Sequence, residues 1–221
     1  MSKWDYGGAY KDFDINNNSI ITVDDNNFLK VHDIFKELPN FMHNADMIFT
    51  DSPWNLGNLN SFYTKADLEH ICFDYEAFYK RLFECIDEIN PRVCYLEIGK
   101  QYLAEFIMEM KKKYKYVTFY NSSYYHNKDR ICYVVRGANK AKAPKLDYID
   151  EEDIIKWVCA HEDYDCIGDL CMGRGLVGYN AYINNKKFVG TELNYKRLAV
   201  LLERLKKYNK NITINIVGEF I

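Results

Sequence analysis

Residues 166–178 read Cys-Ile-Gly-Asp-Leu-Cys-Met-Gly-Arg-Gly-Leu-Val-Gly, and residues 188–192 read Phe-Val-Gly-Thr-Glu. The run 166–171 has the make-up of a buried strand. A glycine-rich turn follows, then a helix from about 176 and a second strand over 188–192. Strand, tight turn, helix and strand is the repeating unit of parallel, doubly wound sheets. Gly173 and Gly175 allow a sharp backbone turn and close approach to a ligand. Glu192 ends the next strand, where a carboxylate can accept hydrogen bonds from ribose hydroxyls. Gly173, Gly175 and Gly178 also fit the G-x-G-x-x-G fingerprint of a nicotinamide oxidoreductase. Too little chain follows to build that fold. Asp169, at the head of the turn, repels a pyrophosphate but suits an ammonium group. That chemistry favours S-adenosylmethionine, a cation without phosphate.

Working outward, residues 1–18 are polar, aromatic and Asn-rich, and read as an arm. A β-branched run at 19–23 predicts a strand, and 26–38 reads as a helix stopped by Pro39. A strand at 45–50 leads into Asp51-Ser52-Pro53-Trp54, followed by a Gly/Asn/Ser-rich loop at 55–65. Helices are predicted over 74–89, 100–113, 150–161 and 195–208, and strands over 93–98, 116–120, 131–135 and 212–217. The alternation predicts an α/β, doubly wound, Rossmann-like sheet of about seven mostly parallel strands. One domain, 19–221, is expected behind the arm.

Composition limits the alternatives. The chain has 221 residues, 48% hydrophobic and 16% aromatic, enough for a substantial core. No stretch has the length of a membrane span, and the N-terminus has no apolar signal core, so a cytoplasmic protein with no membrane partner is expected. Seven scattered cysteines without a C-x-x-C pair argue for reduced thiols and no metal site. The net charge of −3 gives no global case for nucleic-acid binding. Local basic clusters lie at Lys111–Lys115 and between Lys128 and Lys145.

Asp51 to Trp54 opens a loop at a strand's carboxyl end, where open α/β sheets place ligands. An exocyclic amine on a base is a weak nucleophile because its lone pair is delocalised. A carboxylate (Asp51) and a main-chain carbonyl (Ser52) accepting its two N–H groups favour the reactive tetrahedral geometry. Pro53 holds Ser52 extended, and Trp54 offers a face on which an extruded base can stack.

Together, TDSPWNLG (50–57), DLCMGRG (169–175) and GTELNYKRL (190–198) resemble the motifs of amino-methylating DNA methyltransferases, the adenine-N6 and cytosine-N4 family. The catalytic motif precedes the cofactor motif, the permuted order of the β group. The resemblance covers about 19–208. It implies S-adenosylmethionine held by Asp169, Met172, Gly173, Arg174, Gly175 and Glu192, and a flipped adenine of duplex DNA held by Asp51, Ser52, Pro53 and Trp54. Asp51 leans the substrate to adenine N6 over cytosine N4. An acidic group for the cofactor adenine falls to Asp24, with Glu219 the other candidate. Tyr124, Tyr125 and His126 are expected to line the base pocket. Ser52 replaces the family's first proline, and Leu176 and Val177 replace its threonines. Target recognition is left to loops near 55–73 and 136–149, or to a separate subunit, and a homodimer is implied. Two alternatives stay open: an RNA adenine methyltransferase, and a weakly active cofactor-binding subunit that needs a partner.

Overall fold

The computed structural model describes residues 6–69, 74–140 and 142–218. In chain order the elements are β1 (Ser19–Val23), β2 (Asn27–Val31), β3 (Met47–Asp51), α1 (Leu56–Lys65), α2 (Tyr75–Ile89), β4 (Val93–Ile98), α3 (Leu103–Lys113), β5 (Tyr116–Tyr124), β6 (Asn127–Ala138), β7 (Ile149–Asp150), α4 (Glu151–His161), β8 (Cys166–Asp169), α5 (Leu176–Ile183), β9 (Lys187–Glu192), α6 (Tyr195–Tyr208) and β10 (Ile214–Gly218).

All ten strands form one sheet in the order β10-β1-β2-β9-β8-β3-β4-β6-β5-β7. Its centre, β2-β9-β8-β3-β4, is parallel, so those five carboxyl ends lie along one edge. Strand alternation divides the core. Met47 and Phe49 face a layer built by Ile154 and Val158 of α4, Ala181 of α5 and Leu198, Leu201 and Leu205 of α6. Ile48 faces the opposite layer, with Phe78, Leu82 and Ile86 of α2 and Phe106 and Met110 of α3. This period-2 split puts helices on both faces of the sheet.

The α/β, doubly wound reading holds, with ten strands rather than about seven. The strands not expected are β2 and β7, while the predicted strands at 19–23 and 212–217 pair with each other as an antiparallel edge. The predicted helix over 26–38 is a strand in its first part. Asp24 and Asp25 take left-handed φ values of 47° and 60°, turning the chain into a β1–β2 hairpin. Asn27, Leu29 and Val31 then point inward on alternate positions. The predicted loop at 55–65 is helix α1, capped by Asn55, whose side chain accepts from the Asn58 N–H at 2.9 Å. The predicted strands at 116–120 and 131–135 are longer, pairing as a hairpin from Tyr116 to Ala138. Residues 6–12 of the expected arm form a 3-10 turn whose Ala9 is buried. The six described cysteines are free.

Candidate active site

Five carboxyl ends converge on a cleft of about 770 Å³. Its lining includes Asp33, Asp51, Pro53, Tyr63, Glu97, Tyr124, Tyr125, Glu151, Asp169, Met172, Gly173, Arg174, Glu192 and Arg197. The two sequence motifs meet directly. Thr50 Oγ1 donates to Asp169 Oδ1 at 3.2 Å across β3 and β8, and the same hydroxyl accepts from Leu170 N at 2.9 Å.

The glycine turn closes on Glu192. Gly173 N donates to Glu192 Oε2 at 2.7 Å, and Asn194 N donates to Oε1 at 3.0 Å. Each carboxylate oxygen keeps acceptor capacity for a ligand. Gly173 and Gly175 both have positive φ, 55° and 71°, but serve different ends. A Cβ at Gly173 would have only the Arg197 Nη1 and Cys171 oxygen near it, at 3.8 and 4.0 Å, so that position opens to the cleft. A Cβ at Gly175 would meet Leu201 Cδ2 at 2.6 Å, so Gly175 lets α6 pack. Asp169 is buried and accepts from Cys171 N at 3.1 Å. Burial dominates its acidity and pushes the carboxyl up to about 8.

Asp51, at the end of β3, is held by donors on both oxygens. Trp54 Nε1 donates to Oδ1 at 3.2 Å and the Tyr124 hydroxyl donates to Oδ2 at 3.4 Å. Burial raises its pKa to about 6, opposed by the Trp54 and Tyr124 hydrogen bonds and the Arg197 charge. One edge of the Trp54 ring rests against Gly99, where a Cβ would lie 2.9 Å from Cε3. The ring meets Tyr124 edge-to-face with centroids 5.0 Å apart. Tyr75 donates its hydroxyl to the Pro53 carbonyl at 2.6 Å and fixes the loop from behind. Ser52 is buried.

The Tyr124–His126 turn is tied to the start of α4. Tyr125 N donates to both Glu151 oxygens, at 3.2 and 3.1 Å, and His126 N donates to Asp150 Oδ2 at 2.6 Å. Tyr124 and Tyr125 line the cleft, whereas the half-exposed His126 ring leans to Asp150 and Glu152. Asp24 stands apart. The β1–β2 turn lies at the other end of the sheet from the cleft, and its carboxylate bonds Tyr182 OH at 2.6 Å and Thr213 N at 2.8 Å. Glu219 lies outside the described residues. The acidic group that does follow a central strand is Asp33, just past β2, bonded by Tyr63 OH at 2.8 Å. Its signal was a lone acid after an alternating run, hidden by the helical reading of 26–38.

Arg197 was also missed. It is a half-buried cation of the cleft, over the Phe62 ring at 4.6 Å and donating from Nε to Tyr6 OH at 3.2 Å. Arg174 lies over the same Tyr6 ring at 5.3 Å, so the N-terminal turn roofs this corner.

No family model matches the chain, and no curated protein sequence matches it. Solved structures do. The M1.HpyAVI–SAM complex has 14% identity and a TM-score of 0.54, covering 80% of this chain and 98% of that one. TTHA0409 from Thermus thermophilus, described as a putative DNA modification methylase, has 12% identity and a TM-score of 0.55, covering 76% and 89%. PvuII DNA methyltransferase, described as cytosine-N4-specific, has 11% identity and a TM-score of 0.55, covering 84% and 92%. The chain has the DNA methyltransferase fold. Within that fold, the cleft occupies the edge at which β3 and β8 end.

Proposed function

We propose that this chain is an S-adenosylmethionine-dependent DNA methyltransferase acting on an exocyclic base amine, with adenine N6 as the target. The observation that supports this most is the joining of Asp51 and the Gly173–Glu192 cradle in one cleft through the Thr50–Asp169 hydrogen bond.

The residues present suit the cofactor. Glu192 has free acceptor capacity for ribose hydroxyls, Asp33 lies one strand further for the adenine, and Asp169 is a buried acid for an ammonium group. Leu176, Val177 and Ile155 supply apolar lining. When bound, S-adenosylmethionine supplies an electrophilic methyl group. The protein's share is placement and electrostatics. Asp51 accepts one amine N–H and the Ser52 carbonyl the other, which directs the nitrogen lone pair outward. With a pKa of about 6, Asp51 is mostly ionised at neutral pH and is a better proton acceptor than an ordinary aspartate. It can take the proton shed by the methylated amine and release it to water.

The adenine preference rests on Asp51 leading the motif, and a cytosine-N4 enzyme shares the fold. With 55–65 folded as α1, recognition is left to 66–69 and to the short segment between β6 and α4 that carries Lys140, Lys142 and Lys145, while 70–73 and 141 lie outside the described residues. That short segment supports a second reading, in which a second copy or another subunit reads the DNA sequence. Among the described residues no helix is long and apolar enough to cross a membrane. The test is methyl transfer to unmethylated duplex DNA, single-stranded DNA and RNA in parallel, with the product nucleoside identified by mass. N6-methyladenine in duplex DNA supports the reading, N4-methylcytosine moves the target, and label confined to RNA overturns the DNA assignment.

A further inference from the structure

Glu97 stands one residue before the end of β4, and the parallel register sets it beside Asp51 of β3. Residues paired in this way project to the same face of the sheet. Glu97 is 0% exposed, and neither carboxyl oxygen has a conventional hydrogen-bond partner. The groups that face it are Asp51 from β3, Tyr124 from β5, the Cys132 thiol from β6, and Asp150 and Glu151 at the start of α4. All are acidic or weakly acidic, none is a cation, and among them the Cys132 thiol is the weak donor that opposes the rise in the Glu97 pKa. Asp51 is treated differently: Trp54 and Tyr124 donate to it, and the Arg197 charge favours its anion. One strand position therefore stabilises a carboxylate and its neighbour does not. A buried carboxylate and a half-buried one in register cannot both ionise cheaply.

We propose that Glu97 is the neutral half of a carboxyl dyad with Asp51, keeping its proton at neutral pH and thereby holding Asp51 anionic and seated on Trp54 and Tyr124. Glu97 is a positioning residue, acting on the target amine only through Asp51. This deepens the methyl-transfer reading and rests on it. Burial and the adjoining Asp51 and Glu151 charges push the Glu97 carboxyl upward, in keeping with a neutral acid. At alkaline pH, loss of the Glu97 proton sets two anions side by side and drives Asp51 off its donors, so turnover falls.

The test pairs a pH profile with direct observation of the proton. Glu97→Gln keeps the size and neutrality of the acid but cannot ionise. Its kcat at neutral pH is expected to stay near that of the unmodified enzyme, its acid limb to stay in place, and its alkaline limb to vanish. Glu97→Lys, which supplies a charge that pairs with Asp51, is expected to lose kcat with little change in the cofactor's dissociation constant. Carbon-13 NMR of protein labelled at glutamate Cδ identifies Glu97 as the resonance missing from Glu97→Gln. It is expected at the protonated position through neutral pH. An unchanged alkaline limb in Glu97→Gln, or a Glu97 resonance at the ionised position at pH 7, overturns the proposal. If the unmodified enzyme transfers no methyl group, the methyl-transfer reading fails, and the NMR position alone decides whether the dyad exists.

Discussion

At the scale of single residues, the cleft depends on how the half-buried Asp51 is kept charged. The Trp54 N–H lowers the Asp51 pKa against the larger effect of burial. Trp54→Phe retains the ring and removes that donor, so the Asp51 pKa is expected to rise. The acid limb of the rate profile then moves from near pH 6 to higher pH, read as kcat against pH on saturating substrate. Asp51→Ala is expected to lower kcat by about 100-fold or more, the usual loss when a group that stabilises developing charge is removed. Cofactor binding by calorimetry should survive it. The sequence made Asp51, Gly173 and Glu192 readable because each sits in a motif whose spacing has a chemical reason. Glu97 and Asp33 lie outside every motif, and Arg197, though inside 190–198, has no role that its spacing explains. Each is an ionisable residue that matters only because the strand register or the α6 packing brings it to the cleft.

At the scale of elements, the turn between β8 and α5 separates a binding glycine from a packing one. Gly175→Ala puts a Cβ at 2.6 Å from the Leu201 side chain in a left-handed conformation, and Leu201 is fully buried. It is expected to destabilise the protein by about 2–4 kcal/mol through strain and overpacking, seen in denaturant melts. Gly173→Ala carries only the conformational cost, about 1 kcal/mol, but places a methyl group in the cleft beside Arg197. It should weaken cofactor binding more than it lowers the melting point. The same contrast explains which elements the sequence made legible. Amphipathic α2 and α6 and the apolar central strands were read because one burial pattern dominates each. The stretch 26–38 was misread because its decisive signal is a left-handed hairpin turn at Asp24 and Asp25. Helix α1 was misread because its Gly/Asn-rich composition conceals the Asn55 cap and the buried Leu59 and Tyr63.

At the scale of the whole molecule, converging five strand ends on one cleft gathers acids that folding keeps from ionising freely. Burial pushes Asp169 and Glu151 up to about 8 and Asp51 to about 6. For an acid whose folded pKa is raised, the native state binds more protons than the unfolded chain. Stability is then full below about pH 4 for these groups and is lost as pH rises towards 8. Thermal melts of the ligand-free protein are expected to show that decline, and Asp169→Asn should flatten it. A melting point that rose steadily from pH 5 to pH 8 would contradict this electrostatic picture. The doubly wound plan was legible from strand–helix alternation. The full sheet order was not, because β1, β2 and β10 pair across most of the chain.

The most direct measurement is transfer of labelled methyl from S-adenosylmethionine to unmethylated genomic DNA, followed by digestion and mass identification of the nucleoside. Labelled N6-methyldeoxyadenosine that disappears with Asp51→Ala is the expected result. Equal labelling by Asp51→Ala, or label that never enters DNA although S-adenosylmethionine binds, would contradict the assignment.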